Sequence, residues 1–485
     1  MTTTRRAALA IAVSLLVALC ALPQAAAATG ATAQPELAPL SPAFVEALHD
    51  PMVTLGLGRM PSPVEVKVGA AAQTRAARMA IPTAYDLRIL GRLTPIKDQM
   101  GYSTCWAFAN IAAVESELLS ATPPPAVTPD YSEDNLIARN GYFGSARARY
   151  NDGGYDFMAI AYFARWAGPL LESDDTYTDP RQPGHAAGPV QKHVQGVIMI
   201  PGRSGPLDND LVKQLVMENG ALSVGMYFEP DAYLASATPS YYDPNVEGEN
   251  HGVDIVGWDD GYPATNFDAD LHNEPAGNGA YLVRNSWGAD WGGDGGYFWV
   301  SYYDRSFAME QGLGGLGGMT SYNDIEDSTN YSHEYQYDKL GVTSNVGYGS
   351  TRVWGANRFV AAADQTISAA SFYSLAAGTQ YQVWAGRSLK SLKPRAKGTT
   401  DLPGYVTVPL TSTLAVYQGK QFVVAVKLIS PGEGFPLAIE YPRAGWMAGA
   451  TAQKGQSFIS RNGTTWTDLT SLYRRSNVCL KAFAQ

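Results

Sequence analysis

The stretch that decides the fold is residues 99–109, which read QMGYSTCWAFA. The apolar positions after it, Ile111 to Leu119, repeat with helical spacing, and Pro123-Pro124-Pro125 ends the pattern. Cys105 therefore falls in the first turn of a predicted helix, where the partial positive charge of the helix N-terminus favours a thiolate over a thiol. Taken alone, a cysteine on an apolar helix is more often a small buried core residue. A catalytic interpretation needs partners elsewhere in the chain.

Two later motifs place polar side chains at the ends of predicted strands. His251 opens the run HGVDIVGW, and Asn285 follows the run AYLVR and opens NSWG. A cysteine nucleophile needs a base that takes its proton and a third group that holds the base in one tautomer. Cys105, His251 and Asn285 meet that need in chain order, each on its own predicted element. They are the candidate catalytic residues.

These motifs together resemble those of the papain-like cysteine peptidases, over roughly residues 81–322. Gln99 lies six residues before Cys105, as in that family, and the segment NDGG at 151–154 is similar to the Gly-Gly segment that lines the family's cleft. The runs SEDNL, GALSV and GGYF are similar to a helix of the first lobe and two strands of the second. The resemblance implies a two-lobed α+β fold, with a helical lobe and a lobe resembling a β-barrel.

The resemblance also implies roles for the matched residues. Cys105 is the expected nucleophile and His251 the general base, and the two are expected to rest as a thiolate–imidazolium pair. Asn285 is expected to orient His251, and Trp287 to shield that contact from water. The Gln99 side chain and the backbone N–H of Cys105 are the expected donors to the oxyanion.

Gly153 and Gly154 are the expected substrate-binding residues, because a substrate backbone can approach where no side chain intervenes. From composition alone, a plain tight turn explains them equally well. The resemblance implies neither a metal nor a cofactor.

The chain departs from the family pattern in three respects. Met100 and Ser103 stand where many relatives have glycine, and Ser103 would be strained if its position needs a positive φ. The disulfides of many relatives cannot form, and Cys479 is most simply a buried strand residue. The family's long inhibitory prosegment does not fit into residues 29–80, which leaves open how the enzyme is held latent.

The C-terminal part has short alternating apolar runs, such as Gln380 to Trp384 and Gln421 to Val426, separated by turn signals. Such spacing predicts a β-sandwich or barrel. Several motifs resemble the lectin-like β domain that follows the peptidase in one bacterial branch of the family, which implies a glycan partner by analogy only. Four tryptophans are candidates for stacking on sugar rings, although a sandwich tryptophan is more often core: Trp354, Trp384, Trp446 and Trp466.

Composition and patterning set the organisation of the chain. The net charge of −10 disfavours nucleic acid as a partner. The basic and apolar start with small residues near Ala27 predicts a secretory signal over 1–28. A short pro-region or linker is expected over 29–80, a peptidase domain over 81–322, a linker over 323–332 and an all-β sandwich over 333–485. No later segment is apolar enough to span a membrane, so a secreted protein is expected, extracellular or on the cell surface, with the periplasm as an alternative.

The expected function is that of a secreted cysteine endopeptidase acting on protein or peptide substrates. Two alternatives stay open: a cell-wall amidase or transamidase, and a non-catalytic adhesin. The pairing of Asn285 with Trp287 and the glycine pair argue against the first, and the intact set of catalytic residues argues against the second. A chain ending near Asp327 is expected to retain hydrolysis of short peptides, unless the β domain packs on the peptidase lobes.

Overall fold

The helix expected after Cys105 is the central element of the computed structural model, which describes residues 34–47, 57–66, 80–142, 150–178, 187–245, 248–267, 274–309, 318–443 and 447–485. The predicted signal segment and Trp446 lie outside these residues. The described helices are α1 (Pro42–Ala47), α2 (Cys105–Ser120), α3 (Glu133–Arg139), α4 (Asp156–Ala164), α5 (Asp210–Asn219) and α6 (Leu469–Leu472).

Helix α2 is buried almost all round, because helices contact it on one side and strands on the other. Ala107, Ile111, Ala113 and Val114 pack into the apolar core that also holds residues of α3 and α4. The helix ends at Ser120, and the extended backbone of Ala121 leads into the three prolines, which cannot continue a helix. The predicted helix over Ile111 to Leu119 is thus confirmed.

A sheet forms the second lobe and one side of the C-terminal part. The first strands in chain order are β1 (Glu36–Leu37), β2 (Ala84–Asp86), β3 (Lys192–Ile200), β4 (Leu222–Met226), β5 (Tyr233–Leu234), β6 (Ser240–Tyr241), β7 (His251–Asp259), β8 (Ala280–Arg284), β9 (Tyr297–Ser301) and β10 (Met319–Asp327). Their order in the sheet is β3-β10-β4-β7-β8-β9-β6-β5, with β2 also paired to β7. Strand β7 is buried on both faces, because α2 contacts it and the second apolar core includes its residues.

The C-terminal part is all β apart from α6. Its strands are β11 (His333–Tyr335), β12 (Ser344–Gly347), β13 (Arg352–Val360), β14 (Gln365–Ser374), β15 (Thr379–Gly386), β16 (Lys393–Thr400), β17 (Gly404–Val416), β18 (Gln421–Ile429), β19 (Leu437–Glu440), β20 (Ser457–Ser460), β21 (Thr467–Asp468), β22 (Asn477–Val478) and β23 (Leu480–Ala484). A six-stranded sheet, β16-β15-β18-β13-β20-β21, shares one apolar core with β11, β23, β14 and β17.

The residues of strand β18 alternate between two apolar clusters, one on each face of its sheet. Phe422, Val424 and Val426 point into the sandwich core, whereas Val423 and Ala425 belong to a smaller cluster on the other face. The fold is therefore α+β with a papain-like part followed by a β-sandwich, as expected.

The two parts are joined more closely than the sequence predicts. Strand β17 pairs with β3 through Gly404 opposite Ile198, so the sheet continues from one part into the other. Residues 323–327, expected to be linker, lie in β10, which pairs with β3 along its whole length. Residues Pro35–Gln485 form one compact unit.

The segment before residue 80 contacts both parts. Strand β1 pairs with β12 of the sandwich through Glu36 opposite Gly347. The ring of Phe44 on α1 meets Tyr155, the residue before α4, edge to face with centroids 6.0 Å apart. Residues 57–66 then continue toward Cys105. This segment, predicted as a pro-region or linker, is packed structure over its described residues.

We expect a chain that ends near Asp327 to aggregate, or to melt more than about 10 °C below the full chain. The truncation would leave the backbone of β3 unpaired where β17 now binds, and would remove Tyr373, Tyr405 and Cys479 from the core they share with α2. Gel filtration and a thermal melt measure both effects. A soluble monomer with an unchanged melting temperature would show that the two parts are independent.

Candidate active site

Cys105 is the first residue of α2 and has no exposed surface. Its Sγ accepts hydrogen bonds from the backbone N–H groups of Gly252 and Gly58, each at 3.2 Å. The Gly252 contact brings the start of β7 against the start of α2. The fold therefore places the sulfur between a helix N-terminus and the residue that follows His251.

His251 begins β7 and is fully buried. Its Nε2 lies 2.8 Å from Oδ1 of Asn285, which directly follows β8. Because an amide oxygen only accepts, Nε2 carries the proton and Nδ1 is left as the basic nitrogen when the ring is neutral. Within the described part of the chain, that Nδ1 is buried and has no hydrogen-bond partner.

Trp287 covers the contact between His251 and Asn285. Its ring stacks on the His251 ring with centroids 4.5 Å apart and an angle of 25°. Phe228 and Trp291 pack edge to face against Trp287, each at 5.0 Å. This aromatic cluster keeps water from the imidazole on that side.

Gln99 is buried beside Asn285 and is held by its neighbours. Its Oε1 accepts from the Ser286 hydroxyl at 2.7 Å, and its Nε2 donates to the Tyr102 carbonyl at 2.7 Å. The backbone N–H of Gln99 donates to the Ser286 carbonyl at 2.8 Å. Ser286, which sequence reasoning did not single out, therefore fixes which way the Gln99 amide points.

Gly153 and Gly154 line the site opposite β7. Gly153 has a φ of 74°, which favours glycine. A Cβ at Gly154 would lie 2.4 Å from the Trp106 ring, so this position has no room for a side chain. Gly153 is therefore required by its backbone conformation, and Gly154 by the lack of space beside Trp106.

Residues 57–60 lie across Cys105 and pair with Gly154. The Gly154 N–H donates to the Gly58 carbonyl at 2.8 Å, and the Met60 N–H donates to the Gly154 carbonyl at 2.9 Å. On the other side, the Arg59 N–H donates to the Asn250 carbonyl at 3.1 Å. The pairing of Arg59 with Gly154 is parallel. No motif marks residues 57–60, so their position over Cys105 could not be predicted from the sequence.

Burial shifts the pKa of both candidate catalytic groups. It raises the pKa of the Cys105 thiol to about 11, although the N–H groups of Gly252 and Gly58 and the charge of Arg59 act in the opposite direction. It lowers the pKa of His251 to about 4, despite the hydrogen bond to Asn285. Both shifts favour the uncharged forms, a thiol and a neutral imidazole. The thiolate–imidazolium pair stays a prediction for the site once it is open to substrate.

The loop between Gln99 and Cys105 has one described non-glycine residue in the left-handed region. Met100 has a φ of 56°, whereas Ser103 is not among the described residues with positive φ. Ser103 is buried and its N–H donates to the Tyr150 carbonyl at 2.8 Å. The condition for strain at Ser103, a positive φ, is therefore not met, and the left-handed residue is the one directly after Gln99.

We expect Met100→Gly to stabilise the chain by about 1 kcal/mol, since glycine tolerates the left-handed region that costs other residues. Met100 is half exposed, so little packing is lost. Ser103→Gly should instead destabilise by up to about 1 kcal/mol through the entropy of the unfolded chain. Urea unfolding of the two variants checks this, and the reverse order of stabilities would contradict the assignment.

Comparison with known families matches two stretches of the chain. Residues 81–312 match the model of the papain family of cysteine proteases, and residues 335–484 match a lectin-like domain. Within the described ranges, no group of three or more His, Cys, Asp or Glu residues is arranged to hold a metal ion. Nor does any helix in those ranges have the length and apolar character needed to cross a bilayer.

Individual relatives resemble either the first part or nearly the whole chain. Procathepsin L of Rattus norvegicus is 29% identical over 222 residues, and Testin-2 of Mus musculus is 28% identical over 215 residues. These matches cover 45% and 44% of this chain and 60% and 58% of the relatives, so the chain spans about three fifths of their length.

A solved structure extends the similarity across both parts. It is the cysteine protease and lectin-like domains of Cwp84, a surface layer associated protein of Clostridium difficile. It is 25% identical to this chain, with a TM-score of 0.76, and covers 93% of this chain and 98% of its own. A second structure, of the same clostridial protease after propeptide cleavage, has a TM-score of 0.70 and covers 83% of this chain.

Proposed function

We propose that this chain, which carries a papain-family cysteine protease domain followed by a lectin-like domain, is a cysteine endopeptidase held latent by its own residues 57–60. One observation supports this above all. The sulfur of Cys105 lies at a helix N-terminus and accepts from the N–H of Gly252, the residue after His251, which is itself paired with Asn285. Gly58, which also donates to this sulfur, precedes the residue that pairs with Gly154. A nucleophile, an oriented base and a backbone-binding edge converge there.

In the proposed mechanism, a substrate peptide replaces residues 57–60 in the cleft. His251 Nδ1 takes the proton of Cys105, and the thiolate attacks the carbonyl carbon of the peptide bond. The Cys105 N–H and a Gln99 N–H stabilise the oxyanion, and imidazolium protonates the leaving amine as the C–N bond breaks. Water, activated by His251, then hydrolyses the thioester and releases Cys105.

The segment itself is a poor substrate because of its direction. Gly58 turns its N–H to the Cys105 sulfur and its carbonyl oxygen to Gly154. The contact therefore offers the nucleophile a donor where a substrate would offer a carbonyl carbon. A parallel pairing at Gly154 blocks the cleft without presenting a bond for attack.

Export and a glycan partner are further parts of the proposal. Export rests on the signal-like residues 1–28 and on the likeness to Cwp84, which is described as surface layer associated. In the lectin-like part, Trp354 and Trp384 lie 5.4 Å apart between ring centroids, and Trp384 is partly exposed. Such a surface can stack on a sugar ring.

Cys105→Ala should lower hydrolysis of a fluorogenic peptide by more than about a thousandfold, since the nucleophile is lost while the helix keeps its packing. Cys479→Ala is the matched control: its sulfur donates to the Gly341 carbonyl at 3.2 Å in the core that includes the sandwich, and activity should be retained. Turnover by Cys105→Ala near that of the unchanged chain would refute the assignment. An adhesin would give no turnover in either chain.

Gly58→Ala should release latency at neutral pH. A Cβ at Gly58 would lie 2.1 Å from the backbone oxygen of Ser103, so the segment cannot keep its place over Cys105. We expect peptide hydrolysis and labelling of Cys105 by an epoxide probe to start without prior processing. Gly205→Ala is the control, since a Cβ there meets nothing within 4 Å.

Acid should have the same effect on the unchanged chain. The pKa of His251 is about 4 under the segment, against an ordinary value of 6.5, so the covered state binds fewer protons than the open one between those values. The stability of the covered state is thus full above pH 6.5 and is lost as the pH falls toward 4. Labelling of the unchanged chain should rise over that range, whereas the Gly58→Ala chain should already label at pH 7. Equal latency of both chains at pH 7 would contradict the blocking role.

A further inference from the structure

The side chain of Arg59 fills an acidic pocket beside the candidate nucleophile. Its guanidinium makes two hydrogen bonds to the Asp156 carboxylate, at 2.7 and 2.9 Å, and a third to Glu249 at 3.2 Å. The side chains are almost fully buried, with exposed fractions of 4% for Arg59, 11% for Asp156 and 5% for Glu249. Two carboxylates thus face one buried cation.

The pocket is built around these carboxylates. Asp156 begins α4 and accepts hydrogen bonds from Asn110 at 2.7 Å and from Thr320 at 2.7 Å, which fix its orientation. Ser223 lies 3.2 Å from the same carboxylate. Elements from both lobes therefore hold Asp156 in place.

The carboxylate of Glu249 lies against Gly225 in the wall of the pocket. A Cβ at Gly225 would lie 1.7 Å from Oε2 of Glu249, so only glycine leaves room for that carboxylate. The carbonyl of Gly318 accepts a further hydrogen bond from Arg59 at 3.2 Å. Carboxylate, carbonyl and hydroxyl oxygens surround the guanidinium, and all of them can accept its N–H groups.

The register of the segment shows which substrate residue would enter this pocket. The two hydrogen bonds of Gly154 flank Arg59, so Arg59 is the residue opposite Gly154. A peptide in the opposite direction would also place one residue opposite Gly154, with its side chain toward the same pocket. In that peptide, the residue that follows toward the C-terminus would occupy the position of Gly58, against Cys105.

We propose that this pocket selects a basic residue, arginine above lysine, at the second position before the bond that is cleaved. The inference rests on the proposed peptidase function and names its substrate class. Once Arg59 leaves, Asp156 and Glu249 are two carboxylates that have lost the cation they share, and a bound cation offsets the repulsion between them. Arginine is favoured because its planar fork matches the bidentate contact that Arg59 makes.

The first test measures peptide preference with the full-length chain after acid activation. The substrates are blocked Xaa-Ala amides of a fluorogenic amine, in which Xaa is arginine, lysine, leucine or citrulline, the neutral isostere of arginine. We expect kcat/KM for arginine to exceed that for citrulline by about a hundredfold. Faster turnover of leucine or citrulline than of arginine would overturn the inference.

Variants connect the preference to the pocket. Asp156→Asn should lower the arginine-to-citrulline ratio by at least about tenfold, because it removes a charge from the bidentate pair. The control is Asp401→Asn, which makes the same change in charge at an exposed residue of the lectin-like part. A ratio that Asp156→Asn leaves unchanged would contradict the proposed role.

The second test does not depend on catalysis. In full-length Arg59→Ala, the pocket has lost its cation, and methylguanidinium should raise the melting temperature in a saturable way. N-methylurea, which is neutral and similar in shape, should not. In the unchanged chain Arg59 fills the pocket, so any change in its melting temperature measures the general effect of the additive. Arg59→Met replaces Arg59→Ala in this test if Arg59→Ala does not fold.

The two tests separate the inference from the proposed function. If no peptide is hydrolysed but methylguanidinium stabilises Arg59→Ala and not Arg59→Ala/Asp156→Asn, the pocket is a cation site and the peptidase proposal fails. If peptides are hydrolysed without a preference for arginine, the peptidase proposal stands and the pocket inference fails. An equal response to methylguanidinium in the single and double variants also counts against the pocket.

Discussion

Two hydrogen bonds at Gly154 hold residues 57–60 across the cleft, and the state of the other groups in the site depends on them. They bring the Gly58 N–H to the Cys105 sulfur, which is fully buried, as is the His251 ring. Burial disfavours charge on both groups. The latency that we propose would therefore be both steric and electrostatic.

Arg59 connects this pairing to recognition. Its ion pairs with Asp156 and Glu249 hold the segment in the cleft through charges that are mostly shielded from water. A pocket that binds the inhibitory segment by a guanidinium is already shaped for a substrate that carries one. The same contacts would then serve first to inhibit the enzyme and later to select its substrates.

The lectin-like part contributes to the stability of the peptidase part as well as to any binding of its own. Strand β17 extends the peptidase sheet at β3, and β1 attaches the N-terminal segment to the sandwich at β12. The described residues before position 80 are therefore attached in two places, to the sandwich at Glu36–Leu37 and to the cleft at residues 58–60.

The sequence by itself determined the parts of the site that short motifs encode. Helical spacing after Cys105 predicted α2, and a histidine at the start of one strand and an asparagine at the end of another completed the set of candidate catalytic residues. The two-lobed fold class followed from the resemblance of these motifs to a known family. Local pattern could not decide the rest. The left-handed turn at Met100, the joined sheet and the pairing of Arg59 with Asp156 and Glu249 depend on contacts between distant residues, 97 and 190 positions apart for the two ion pairs. Only the tertiary structure brings these residues together, and burial then sets the charge of each group there.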